Sequence, residues 1–102
     1  ILTRTHRYRE RNSKIAKRKK ERVLNENGIL SCEVCGFDFK SKYGDRGEGF
    51  IECHHTKPVS ELVVGETTKL SDLSLVCSNC HRMIHRNRPW LSLDELKARL
   101  NS

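Results

Sequence analysis

No run of apolar residues in this sequence approaches the length of a membrane span or of a signal-peptide core. The expectation is therefore an intracellular, cytoplasmic protein with no membrane partner. Apolar material is scarce throughout: 35% of the 102 residues are hydrophobic and 32% are charged. A core drawn from so little in a chain of this length is small, so a metal or a crosslink is expected to supplement it. The chain also lacks an initial methionine and opens on Ile1, as a segment of a longer polypeptide would. It has no internal repeat beyond a doublet of CxxC pairs, and no low-complexity tract beyond one basic stretch.

Acidic residues are nearly missing from the N-terminal part. Residues 1–24 hold ten Lys and Arg against two acids, Glu10 and Glu21. That segment sums to +8, so the other 78 residues sum to −1 of the formal +7. A basic arm on a nearly neutral body suits a polyanionic partner, with nucleic acid the leading candidate. The bland alternative is a solvated helix face that happens to be basic. The stretch from Tyr8 to Asn27 contains neither Pro nor Gly and ends at Asn27-Gly28, which reads as a helix with a glycine stop. Its apolar stripe is thin: Tyr8, Ile15, Ala16, Val23 and Leu24. Such a helix rests one edge on a small body and leaves the rest wet.

Further along, Phe37 to Phe39 reads as a short strand or turn, and Lys42 to Gly49, with its glycines and charges, as an exposed loop between hairpin arms. Phe50 to His54 has the character of a strand, closed off by Pro58. The segment from Pro58 to Leu73 reads as a helical turn and loop, and Leu73 to Val76 as an apolar run leading to Cys77. From Cys77 to Arg86 the chain lacks helix breakers until Pro89, so a knuckle flowing into a short helix is expected. Trp90 and Leu91 would tuck against the body. Ser92 with Glu95 forms a capping box for a last helix, Leu93 to Leu100, with Leu93, Leu96 and Leu100 on one face.

Cys32 and Cys35 make one CxxC, and Cys77 and Cys80 another. Four thiolates in two such knuckles match tetrahedral zinc, because each short loop presents two sulfurs to one ion at about 2.3 Å. A disulfide framework is the rival, and an odd fifth cysteine together with the lack of a secretion signal weighs against it. Four sulfurs saturate a zinc, so this site braces the fold and takes no substrate. Cys53, left out of the set, reads as a small buried hydrophobe.

Among the five histidines, His81 and His85 are four apart on an expected helix and share a face. His54 and His55 are neighbours on an expected strand and point to opposite sides, so they should not both ligate one ion. His6, in the basic arm, reads as an ordinary surface residue. An imidazole cluster with few carboxylates suits a divalent metal bound with positions left open for phosphate oxygens.

The combination CEVCG, IECHHTKP and DLSLVCSNCHRMIH resembles the HNH endonuclease family, in its four-cysteine, zinc-containing branch. The resemblance spans Cys32 to His85. It implies an α+β fold with a small ββα-metal core, a four-cysteine structural zinc and flanking N- and C-terminal helices. The expected organisation is a basic helical arm at 1–28, the nuclease core at 29–91 and a terminal helix packed on the core at 92–102. By the same resemblance His54 and His81 stand at metal-ligand positions, His85 at a further ligand position used by some members, and His55 at the position of the general base. The asparagine of the family name aligns with Asp72, while Asn79 is the only asparagine nearby, so both remain candidates for orienting the base.

The activity implied is hydrolysis of DNA phosphodiesters. His55 takes a proton from water, and Mg²⁺, Mn²⁺ or a similar ion offsets charge on the phosphate. Arg82, Arg86 and Lys57 are candidate contacts to flanking phosphates, and the arm, including Arg18, Lys19 and Lys20, would add contacts without base preference. Nicking by a monomer is the expectation, with a homodimer as the route to cutting both strands. The competing reading is a zinc-stabilised nucleic-acid-binding module without catalysis, and a redox protein built on the CxxC pairs is a third.

Overall fold

The computed structural model describes residues 4–56 and 69–100, and the side chains within them from Ser13 onward. Lys57 and residues 58–68 of the expected turn and loop lie outside the described residues, as do the side chains of His6 and Tyr8. The architecture is α+β. In chain order it comprises helix α1 (Arg4–Asn27), helix α2 (Phe39–Tyr43), a 3-10 turn (Gly44–Gly47), strand β1 (Glu52–His55), a second 3-10 turn (Leu70–Asp72), strand β2 (Leu73–Val76), and helices α3 (Ser78–His85) and α4 (Leu93–Arg99).

The two strands pair antiparallel in the register Glu52↔Val76, Cys53↔Leu75, His54↔Ser74 and His55↔Leu73. Strand side chains alternate between faces, so this register decides what each face meets. Val76 joins one apolar cluster with Ile84 of α3, Leu96 of α4 and three of the cysteines, bordered by Phe37, Phe39, Trp90, Leu91 and Leu93. Leu75 joins a second on the opposite face with Leu30 and Ile51, bordered by Val23 of α1 and by Cys53. Glu52 and His54 therefore look towards α3, while Cys53 and His55 look the other way. Leu75, Ile84 and Val76 are the largest side chains with no exposure. Truncating any of them would cost about 2–5 kcal/mol, a large share of what a domain this small holds.

Helix α1 starts four residues before the sequence suggests and stops where expected, at Asn27. Gly28 takes φ +79° and donates its N–H to the carbonyl of Leu24 at 2.8 Å, a conformation that spares glycine the strain other residues meet. Helix α4 carries the expected capping box: Ser92 Oγ accepts from Glu95 N–H at 3.1 Å, and Glu95 Oε1 accepts from Ser92 N–H at 2.9 Å. Of its three leucines, Leu96 is buried and Leu93 packs at the margin. Leu100 instead follows the helix end and is exposed.

Two local expectations are corrected. Phe37–Phe39 forms no strand, and Lys42–Gly49 is no open hairpin loop. Asp38 Oδ1 accepts from the N–H groups of Lys40 and Ser41 at 3.0 and 3.4 Å, which starts α2 at Phe39. The chain then runs into the Gly44–Gly47 turn. Gly47 is buried, and a Cβ there would overlap the carbonyl group of Phe39. Only glycine lets the two turns close on each other.

Candidate metal centres

The first knuckle is shaped by its own backbone. Gly36 N–H donates to the Cys32 carbonyl at 2.9 Å, and Cys32 Sγ accepts from the N–H groups of Val34 and Cys35 at 3.4 and 3.5 Å. The second knuckle is the start of α3. Cys77 caps that helix, its Sγ accepting from Cys80 N–H at 3.4 Å. The sulfurs of Cys32, Cys35, Cys77 and Cys80 all lie within 4.8 Å of one another, and Cys35 Sγ stands 3.7 Å from Cys77 Sγ. Ligands of a tetrahedral zinc at 2.3 Å are separated by about 3.8 Å, so the cluster fits that ion.

Its electrostatics fit as well. Burial raises the Cys32 thiol, but backbone groups of Cys35, Cys77 and Val34 outweigh this and bring it down to about 7. Burial pushes Cys35 and Cys80 up instead, and for Cys80 hydrogen bonds with the other three cysteines add to the rise. Four sulfurs this close resist ionising together unless a divalent cation sits among them. Cys53 is half-buried beside Leu75, away from the set, and burial raises its thiol, in keeping with a small packed hydrophobe.

The second cluster stands on the α3 face of the sheet. His81 and His85 recur at one helical turn, as do Cys80 and Ile84, so α3 turns Cys80 and Ile84 into the core and its histidines to the side. His54, buried at 4% exposure, meets them from β1. Ring nitrogens of His54, His81 and His85 lie within 4.8 Å of one another, and His54 Nδ1 is 3.2 Å from His85 Nε2. Nitrogens on one ion at about 2.1 Å are separated by about 3.0 Å in octahedral and about 3.4 Å in tetrahedral geometry, so this triad also fits a divalent cation. Trp90 walls the outer side, its ring centroid 4.1 Å from that of His85.

Burial lowers the pKa of His54 to about 4, reinforced by the neighbouring His81, His85 and His55, and burial lowers His85 too. Both are therefore neutral near pH 7, with lone pairs available to a metal. A consequence is acid sensitivity of the metal-free triad. The folded state keeps His54 neutral, whereas the unfolded chain protonates it near pH 6.5. The stabilisation is complete above pH 6.5 and is lost as pH falls from there towards about 4, at up to about 1.4 kcal/mol per pH unit. Urea unfolding at a series of pH values should show the wild type losing stability more steeply across this window than His54→Gln.

His55 is excluded from the triad, as alternation along β1 requires. Its ring is half-buried, and its Nε2 is fully buried without a hydrogen-bond partner among the described residues. Burial lowers its pKa, against an upward pull from Asp72 and with a further push down from His81. Asp72 and Asn79 have different surroundings. The Asp72 carbonyl accepts from both the N–H and the Oγ1 of Thr56 at 2.8 Å, which pins the residue next to His55. The Asp72 carboxylate is occupied by Lys69 N–H at 2.9 Å. Asn79 is exposed in the first turn of α3.

Among the basic residues, Arg82 is exposed on α3 and Arg86 at its C-terminal cap, Arg18 is exposed on α1, and Lys19 and Lys20 are half-buried there. Lys20 Nζ reaches the Gly49 carbonyl at 3.5 Å, and the charges of Lys19 and Lys20 are felt at Cys53. Helix α1 packs against β2 and the Leu70–Asp72 turn.

Sequence reading misses two acidic residues of the site. Glu52 Oε1 is 2.8 Å from His81 Nδ1, and Glu52 Oε2 accepts from Ser78 Oγ at 2.5 Å. These bonds hold the Glu52 carboxyl below its ordinary value, Ser78 contributing most and His81 next. The signal was present, since Glu52 stands two residues before His54 on the same face of the strand. Glu33, inside the first knuckle, accepts from Leu75 N–H through Oε2 at 2.5 Å and donates its own N–H to the Leu75 carbonyl at 2.9 Å. Nothing in the CxxC spacing announces that latch.

A family model described as HNH endonuclease matches residues 24–87. No curated protein and no solved structure gives a match. None of the helices among the described residues is long and apolar enough to cross a membrane.

Proposed function

Residues 24–87 place this chain in the HNH endonuclease family, and on that premise we propose that it is a metal-dependent endonuclease that hydrolyses DNA phosphodiesters with a single divalent ion and a histidine base. The observation that carries the reading is the division of labour between adjacent residues. His54 joins His81 and His85 in a cluster that fits a cation, and His55 stands apart from it. A cation held by the three imidazoles supplies positive charge to offset what develops on the phosphate oxygens.

The protein's own residues do the rest. His54, His81 and His85 orient the scissile phosphate relative to His55, and the Trp90 wall limits water on one side. His55 is neutral at physiological pH. With Nε2 buried, Nδ1 takes the proton from water, and the hydroxide attacks phosphorus in line with the departing 3′ oxygen. Asp72 acts through its main chain, by fixing Thr56 and hence the end of β1. Arg82 and Arg86 meet the flanking phosphates from α3, and Lys57 does so from beyond β1. Arg18, Lys19 and Lys20 with the remainder of α1 add backbone contacts that weaken steeply as salt rises. An all-nitrogen donor set favours Mn²⁺ and later transition ions over Mg²⁺. Zinc fills the four-cysteine site and takes no part in the chemistry. A monomer with one such centre nicks, and cutting both strands would call for a homodimer.

The test is incubation of supercoiled plasmid with the zinc-loaded protein and Mn²⁺ or Mg²⁺, at low and high salt, with a chelator control. Conversion to open circles that depends on the added ion is expected. A plasmid left intact with every ion, yet still shifted on a gel, would overturn the nuclease reading in favour of a zinc-stabilised binding module.

A further inference from the structure

Glu52 has no task in the reaction as described, yet α3 holds both of its oxygens, one of them through His81 of the imidazole triad. It precedes His54 by two residues on β1, so both side chains face α3. Oε2 is held by Ser78 Oγ at 2.5 Å and Oε1 by His81 Nδ1 at 2.8 Å. Ser78 and His81 lie three apart on α3 and so share a face. One carboxylate thus bridges two turns of the helix, which leaves it little freedom to swing towards any other partner.

An ionised carboxylate only accepts hydrogen bonds, so the nitrogen facing it must carry the hydrogen. A neutral imidazole has one N–H and one lone pair, and the bond made by one nitrogen decides which of them the other presents. We propose that Glu52 is a positioning residue that locks His81 as the Nδ1–H tautomer, so that Nε2 offers its lone pair to the ion shared with His54 and His85. This builds on the reading of the triad as a metal site. Without Glu52, His81 rotates and exchanges tautomers, and only a fraction of the population is ready to bind.

The experiment uses the zinc-loaded protein with ¹⁵N-labelled histidine and no ion added to the triad. Long-range ¹H–¹⁵N spectra at mildly alkaline pH report which His81 nitrogen bears hydrogen. The expected result is Nδ1–H in the wild type, a shift towards Nε2–H in Glu52→Ala, and retention of Nδ1–H in Glu52→Gln, whose amide oxygen accepts the same bond. In parallel, Ni²⁺ titration should show affinity falling about 10- to 100-fold in Glu52→Ala, and recovering most of the loss in Glu52→Gln. Ser78→Ala, which frees only the far oxygen, should weaken Ni²⁺ in the same direction by less. Should Glu52→Ala fail to fold, as judged by zinc content and thermal unfolding, the wild-type tautomer together with the Gln and Ser78 variants still decides the matter.

An Nε2–H tautomer in the wild type overturns the proposal. So does a Gln variant as weak for Ni²⁺ as Ala, which would make the carboxylate itself a ligand. Neither readout needs DNA or turnover, so an inert protein with the Nδ1–H tautomer would sink the nuclease reading and leave this one standing.

Discussion

Replacing His55 with alanine should slow plasmid cleavage by about 10²- to 10⁴-fold, the range expected for loss of a positioned general base, while leaving Mn²⁺ affinity within a few-fold of wild type. The two halves of this expectation come from one geometric fact. His55 shares a strand with His54 but faces the other way and is not among the three residues that converge. A ligand substitution, His54→Ala or His81→Ala, should instead lower Mn²⁺ affinity and activity together. Comparing the two classes separates base from ligand in a way that activity alone does not.

The wild-type pH profile carries the same information. Burial is the main cause that lowers the His55 pKa, and Asp72 opposes it. His55 therefore remains unprotonated to a lower pH than a free histidine, and the acidic limb of the rate profile should fall below pH 6.5, the ordinary value. In His55→Ala that limb should vanish from whatever rate remains. A His55→Ala protein that cleaves at the wild-type rate would remove His55 from the chemistry.

Stripping zinc should have the largest effect on the fold. Structural zinc sites of this kind supply about 10–16 kcal/mol, against a total stability of about 5–15 kcal/mol for an ordinary domain. Cys32, Cys77 and Cys80 are themselves members of the main apolar cluster, beside Val34, Val76, Ile84 and Leu96. Removing the ion would put mutually repelling thiolates, or crowded thiols, in the middle of that cluster. A strong chelator should therefore abolish the cooperative thermal transition and most of the helical circular dichroism of α3 and α4. Stoichiometric zinc should restore both, and Cys80→Ser should behave like the chelated wild type. Because Cys77 begins α3, the imidazole triad should be lost in the same step, visible as loss of Ni²⁺ binding. A chelated protein that melts within a few degrees of the zinc-loaded form would show that the apolar clusters suffice alone.

Much of this was readable from the sequence because the decisive spacings are local. CxxC brings two sulfurs together within one turn whatever the fold, and positions 81 and 85 share a helix face by geometry alone. Alternation likewise separated His54 from His55 before any partner was known. What could not be read depends on which strand residue opposes which helix residue. The pairing of Glu52 with Ser78 and His81 spans 26 and 29 residues, and the latch of Glu33 on Leu75 spans 42.

Two errors of reading have local causes. The glycines of Lys42–Gly49 suggested a loop, but Asp38 capping two N–H groups turns the segment helical. Leu100 matched the spacing of Leu93 and Leu96, yet α4 ends at Arg99, where periodicity no longer applies. Of the two residues kept as candidates for orienting His55, Asp72 fixes the end of β1 through its main chain, by accepting from Thr56, a contact that no spacing in the sequence announces.

The Glu33 latch has a bearing on how the protein fails. Leu75 turns both its N–H and its carbonyl away from β1, and Glu33 takes both, so the sheet, two-stranded among the described residues, shows no raw border there to a passing chain. That cover is part of the first knuckle and goes with it. Oxidants or metal scavengers would thus uncover a sticky seam of Leu73–Val76 at the same moment as they loosen the rest, and clumping through strand addition is the expected fate of such damaged molecules.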